Sequence, residues 1–459
     1  MAKPQSRSGL MSDLRSGLLQ LNLQAWVRRQ PALQKVYRLF PRRLRDRLTV
    51  ALSSRSVAHV RFERTAAWDF ARVRTAAPST PVAAPSADSR LPGVNILGYI
   101  RGEFGLAESA RAYARALIDA GAPVALYDVD LGIPHFMGDH SLDAFIDERL
   151  PHPVSIVFIN PDYLQAALAQ VGQERMLGRY VIGCWFWELE TIPGSWLGAI
   201  DQVDEIMVSS RFVEEAFAKV TDKPIVRVPL PLASVEDSGL QRGDFGLESG
   251  KFIFLCTFDF HSFVARKNPY AAIHAFRQAF PPERDDVQLL VKSSNGHLHP
   301  DSLRDLLNAA AMDSRILVRD DVIDRAHVHA LQRCCDAYIS LHRAEGFGLG
   351  LAECMALGKP VIATGWSGNM EFMNHGNACL VDYTLVPVRE GEYPESAGAR
   401  WAEADLGSAA AAMRRLADDR DYARGLGESG GREVRDRLAA GQAARKLLER
   451  IAAVADGVH

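Results

Sequence analysis

The chain has 459 residues, 47% of them apolar and 24% charged, with a formal net charge of −3. This is an ordinary soluble globular composition, long enough for two large domains and an extension. No run approaches about 18 consecutive apolar residues, so no membrane-spanning helix is expected. The six cysteines (184, 256, 334, 335, 354 and 379) are scattered without CxxC pairs, so neither a disulfide framework nor a zinc site is indicated. The N-terminal apolar residues are interrupted by arginines, so they do not read as a signal peptide, and a cytoplasmic protein is expected.

Residues 1–75 hold 16 Lys and Arg against 4 Asp and Glu, a balance of +12 that leaves −15 on the remainder. Trp26, Tyr37, Leu39 and Phe40 lie among these arginines, and Pro31 and Pro41 divide the segment into short helical pieces. Such an arm suits the inner face of an anionic membrane, with the protein bound peripherally, or docking on its own acidic body. Nucleic acid is not expected, because no recognition motif accompanies the charge. Residues 76–92 (AAPSTPVAAPSADSRLP) read as an extended Pro/Ala/Ser linker.

From 93 to 235 short apolar runs alternate with helical stripes: strands are expected at 94–97, 123–128, 154–159, 180–187, 205–209 and 225–230. Continuous apolar strands between helices indicate a parallel sheet covered on both faces. The loop Arg101-Gly102-Glu103-Phe104-Gly105 is a glycine-bearing turn between the first strand and its helix. The fourth strand ends in Trp185-Phe186-Trp187-Glu188. In open parallel sheets ligands sit beyond the carboxyl ends of strands, so Trp185, Trp187 and Glu188 could cover and hold a sugar, with Asn160 a further candidate on the acceptor side. An aromatic core with a solvated Glu is the alternative.

Residues 236–250 form a polar, glycine-rich connection, and 251–425 repeat the pattern, with strands at 252–258, 287–293, 315–319 and 336–341. Arg266 and Lys267 precede a helix, and Lys292 ends an otherwise apolar strand, three candidate cations for an anionic ligand. After Asp382 the stretch YTLVPVREGEYPESAGARWAEAD reads as irregular, and basic helices close the chain over 426–459.

The chain is organised around residues 341–372, LHRAEGFGLGLAECMALGKPVIATGWSGNMEF. Glu345 stands at a strand's end and Glu353 on the following helix, and Gly346, Gly348 and Gly350 let a phosphate or sugar approach the backbone at a helix N-terminus. Carboxylates flanking an anion site make sense if each accepts hydrogen bonds from hydroxyls, as a nucleotide sugar would offer.

The run E-G-F-G-L-x-x-x-E, followed by A-x-G-x-P-V-I-A-T and S-G-x-x-E, resembles retaining glycosyltransferase family 4 (the group 1 glycosyl transferases, with their E-x7-E motif). That likeness spans roughly residues 93–455 and implies an α/β GT-B fold: two Rossmann-like doubly wound parallel-sheet domains facing a cleft, here with an added N-terminal helical arm. It implies a hexosyltransferase that moves a sugar from a nucleoside-diphosphate donor to a glycan or lipid-linked hydroxyl acceptor with retention, in polysaccharide biosynthesis. Glu345 would hold the donor sugar's hydroxyls, Phe347, Gly348 and Leu349 would offer backbone, and Glu353 would bind the ribose. Gly102 and Gly105 would face the donor phosphates, and Arg266, Lys267 and Lys292 would neutralise the diphosphate without a metal or other cofactor. The C-terminal helices would pack back toward the first domain. Leu341-His342 stand where many members have Pro-Ser, Ser367-Gly368 where they have Gly-Gly, and His261 where an Arg is usual. A nucleotide-sugar epimerase, a phosphorylase and a catalytically silent membrane-recruited scaffold are the rival readings.

Overall fold

The computed structural model describes residues 91–133, 137–232, 238–455 and 457. The basic arm 1–75 and all but the last two residues of the linker 76–92 lie outside the described residues.

The apolar runs pair as parallel strands. In the first domain β1 (Val94–Gly98), β2 (Val124–Asp128), β3 (Val154–Phe158), β4 (Tyr180–Cys184), β5 (Glu205–Val208) and β6 (Ile225–Arg227) form a sheet ordered β2-β1-β3-β4-β5-β6. Val94 stands opposite Val124 on one side and Val154 on the other, so the register sets apolar residue against apolar residue. The second sheet comprises β7 (Phe252–Asp259), β8 (Val287–Ser294), β9 (Ile316–Asp320), β10 (Ala337–Ser340), β11 (Val361–Thr364) and β12 (Cys379–Val381), ordered β12-β11-β10-β7-β8-β9. Helices cover both faces, which is why these strands carry no polar alternation.

Each sheet reverses its winding once, and in the second the reversal falls between β7 and β10. The loops leaving these two strands diverge there and leave a crevice at the strands' carboxyl ends. The β7 loop carries Arg266 and Lys267; the β10 loop carries Glu345.

The stretch after Asp382 is not irregular. Tyr383–Pro387 (β13) pairs antiparallel with Arg400–Ala404 (β14), setting Leu385 opposite Ala402. Its connection contains Gly391, Pro394 and Gly398 and is far longer than a tight hairpin turn, so no short-range signal announces the pairing. The tip of this hairpin reaches the first domain, where Glu395 accepts a hydrogen bond from Ser195 at 2.6 Å.

The helix Arg420–Arg437 remains with the second domain, against Leu349–Ala356. The chain then recrosses: Ala440–Ala455 lies against the helix Gly105–Asp119, and Arg450 pairs with the buried Glu205 on β5 at 2.7 Å. All six cysteines are free and five are buried. Among the described residues no helix is long and apolar enough to cross a membrane.

Candidate functional site

A cavity of about 240 Å³ opens at the crevice between β7 and β10. Lys267, Lys292, Glu345, Gly348, Leu349 and Glu353 all line it, so residues spread over nearly ninety positions converge on one space. Its floor is the start of the helix Leu349–Ala356, whose first N–H groups have no intrahelical acceptor. Gly348, with φ +93°, turns the chain into that helix in the left-handed conformation that glycine adopts without cost.

Glu345 is 8% exposed and sits in a cationic cradle. Its carboxylate binds Lys267 through one oxygen and Arg266 through the other, the latter at 3.2 Å. Burial alone would raise this carboxyl, but Lys267 and Arg266 overcome that and hold it at about 2, so it is ionised at neutral pH. Arg266 also donates to the carbonyl of Ala344 at 2.9 Å and approaches Glu188 of the first domain at 3.5 Å. Both loops thus meet in one network, whose outer end is Tyr393, donating its hydroxyl proton to Glu188 across the cleft.

Lys292 differs from the other two cations. It is 7% exposed, and its ammonium makes no hydrogen bond or ion pair with any described residue. Burial lowers its pKa, while Asp320, Asp259 and Asp321 oppose that shift from a distance. A buried ammonium without a contacting anion, facing a cavity, is poised for an anionic ligand.

Glu353, 5% exposed, already has partners: Arg325 binds one oxygen and Gln332 donates to the other at 3.4 Å. Both come from the helix Arg325–Cys334, and so does His329, 3.7 Å from the same carboxylate. Any hydroxyl reaching Glu353 therefore enters an existing hydrogen-bonded set.

Other expected residues stand elsewhere. Trp185 is wholly buried and Trp187 is 6% exposed; they pack against Phe217 and Trp196, with ring centroids 5.5 and 4.7 Å apart, and Trp187 also meets Tyr393 of the second domain at 5.4 Å. Neither can cover a sugar, because apolar rings at the end of β4 gain more by filling the space under the helices than by facing water. Glu188 is held by Arg266 and Tyr393. Asn160 exchanges two hydrogen bonds with the backbone of Phe186, at 3.1 and 3.2 Å, and so fixes the loop after β4. Gly102 and Gly105 do not line the cavity; the Gly102 carbonyl accepts a bond from the buried Arg111 at 2.6 Å, and a Cβ there would strike Phe104. Phe347 packs its ring on Phe372, 5.1 Å between centroids. Gly346 faces the first domain: a Cβ on it would come 2.9 Å from the carbonyl of Trp187.

Sequence reasoning missed Arg325, Gln332, Tyr393 and Ser367. Arg325 and Gln332 sit seven apart on one helix face, a spacing visible in the sequence but without meaning until Glu353 is placed opposite. Tyr393 carried no signal, lying in a stretch read as irregular. Among the described residues no group of three His, Cys, Asp or Glu side chains could hold a metal ion.

The family of glycosyl transferases group 1 matches residues 259–399, less than a third of the chain. No curated protein matches the sequence. Among solved structures, sucrose-phosphate synthase from Thermosynechococcus elongatus is 15% identical with a TM-score of 0.59, covering 80% of this chain and 100% of that one. HepE from Anabaena, solved with UDP and glucose, is 15% identical with a TM-score of 0.54, covering 79% and 100%. At such identities the likeness establishes architecture: the fold is GT-B, and the segment matching the group 1 glycosyl transferases is the one that brings Lys267, Lys292, Glu345 and Glu353 together.

Proposed function

We propose that the protein transfers a sugar, with retention of configuration, from a nucleoside-diphosphate sugar to a hydroxyl of a glycan or lipid-linked saccharide. The observation that carries this reading is the buried Lys292, unpaired among the described residues, in one cavity with Glu345, Glu353 and a helix N-terminus. A diphosphate placed there would meet Lys292 and the free N–H groups of the helix, which stabilise the charge that grows as it departs. Lys292 and these N–H groups would take the place of a metal. Glu345, held ionised by Lys267 and Arg266, would accept hydrogen bonds from sugar hydroxyls. Glu353 would accept those of the ribose. As the bond from the sugar's anomeric carbon to the diphosphate oxygen breaks and the bond to the acceptor oxygen forms, the acceptor's proton would pass to the departing phosphate. We further assign residues 1–75 to contact with an anionic membrane surface where the acceptor is built.

The test begins with a thermal-shift screen of nucleoside diphosphates and their sugars, starting with UDP and UDP-glucose because HepE was solved with UDP and glucose. Turnover of the stabilising donor is then followed with an acceptor panel in the presence of EDTA. Glu345→Gln should lose turnover while keeping nucleoside-diphosphate affinity, because its partner is the sugar. Wild-type turnover in that variant would remove Glu345 from the site. Strict dependence on added magnesium would sink the metal-free division of labour.

A further inference from the structure

We propose that Ser367 is the positioning residue for Glu345, and that the chain accepts backbone strain at Ser367 to provide it. The inference rests on the reading of Glu345 as the sugar-binding carboxylate. Ser367 has φ +79° and ψ −151°, a conformation open to glycine and rarely adopted by a residue with a side chain. Its neighbours hold it there. The next residue, Gly368, donates its N–H to the Glu345 carbonyl at 2.8 Å, and a Cβ on Gly368 would come 2.1 Å from the Gly346 oxygen. The dipeptide 367–368 therefore lies flat against 345–346.

In that conformation the Ser367 hydroxyl oxygen accepts the Glu345 N–H at 2.9 Å. Both backbone polar groups of Glu345 are thus held by one dipeptide, the N–H by the Ser367 side chain and the carbonyl by the Gly368 N–H. Ser210 of the first domain donates to the Gly346 carbonyl at 2.6 Å. Glycine at 367 would relax the backbone but leave a buried N–H without this acceptor. A side chain is kept where the backbone favours none because its oxygen holds the residue whose carboxylate faces the cavity. Strain gathers around the same carboxylate elsewhere: Phe263 (φ +61°) and Asn268 (φ +49°) flank the short helix Val264–Lys267 that delivers Arg266 and Lys267 to Glu345.

The test compares Ser367→Gly and Ser367→Ala, which both lack the hydroxyl and differ only in the Cβ. Both should lose roughly 10-fold in kcat, with nucleoside-diphosphate affinity and donor KM held within about twofold, and the Glu345 amide should exchange faster in both. Ser367→Gly should melt above Ser367→Ala by about 2 °C, the reverse of the usual order for these two residues. Wild-type kcat in Ser367→Gly overturns the proposal, even where Ser367→Ala loses activity, because it would show that turnover does not need the hydroxyl once the backbone is relaxed. Ser367→Ala melting at or above Ser367→Gly overturns the strain. Glu345→Gln measured alongside separates the two readings: full turnover there removes Glu345 from the chemistry whatever the Ser367 variants do.

Discussion

Lys292→Met tests the electrostatic heart of the site, because it removes the charge while keeping most of the length and volume. The wild-type ammonium follows the apolar run of β8, in a residue 7% exposed and without an ion-pair partner among the described residues. Its contact with a bound diphosphate would be a charge-assisted hydrogen bond out of water, worth about 1.5–3 kcal/mol. At about 1.4 kcal/mol per decade this is roughly 10- to 100-fold in affinity. Titration calorimetry with a nucleoside diphosphate and with the bare nucleoside separates the phosphate contribution from the rest. The variant should lose that factor for the diphosphate and bind the nucleoside as wild type does. Lys267→Met provides the internal contrast: Lys267 is already neutralised by Glu345, so its loss should disturb turnover more than diphosphate affinity. If Lys292→Met keeps full diphosphate affinity, or loses nucleoside affinity equally, the buried cation does not serve the ligand and the placement of the diphosphate fails.

Two further outcomes follow from the same physics. Burial, with Arg325 and Arg333 nearby, pushes His329 down to about 3 from its ordinary 6.5, so the unfolded chain takes up this proton first. Stability should therefore fall as pH drops from 6.5 toward 3, and His329→Gln should flatten that slope by up to about 1.4 kcal/mol per pH unit in urea melts; parallel slopes would show that His329 titrates normally. For the arm, removing residues 1–91 should abolish co-sedimentation with anionic vesicles at low salt while preserving turnover on a soluble acceptor, since the +12 balance goes with them. Equal sedimentation of full-length and shortened chains would point instead to docking on the acidic body.

The sequence by itself determined the two parallel sheets, because a strand buried on both faces must be apolar along its length, and VNILG, VSIVF and FIFLCTFD say so locally. It also placed Glu345 and Glu353 on one strand–turn–helix unit, since eight residues there form a single local structure. Only the tertiary structure decided what each charge meets. Arg266 and Lys267 looked like free cations for a ligand, yet they are the partners of Glu345, 79 and 78 residues away, and Lys292 alone of the three has no partner among the described residues. Trp185 and Trp187 carry the same composition whether they face a sugar or a core; the rings of Phe217, Trp196 and Tyr393 packed on them settled it. Tyr393 reaches Glu188 across 205 residues because a hairpin with no tight-turn signal folds its tip over the cleft. Periodicity is a property of neighbouring residues, whereas pairing of charges depends on which loops the strand order brings to the same crevice.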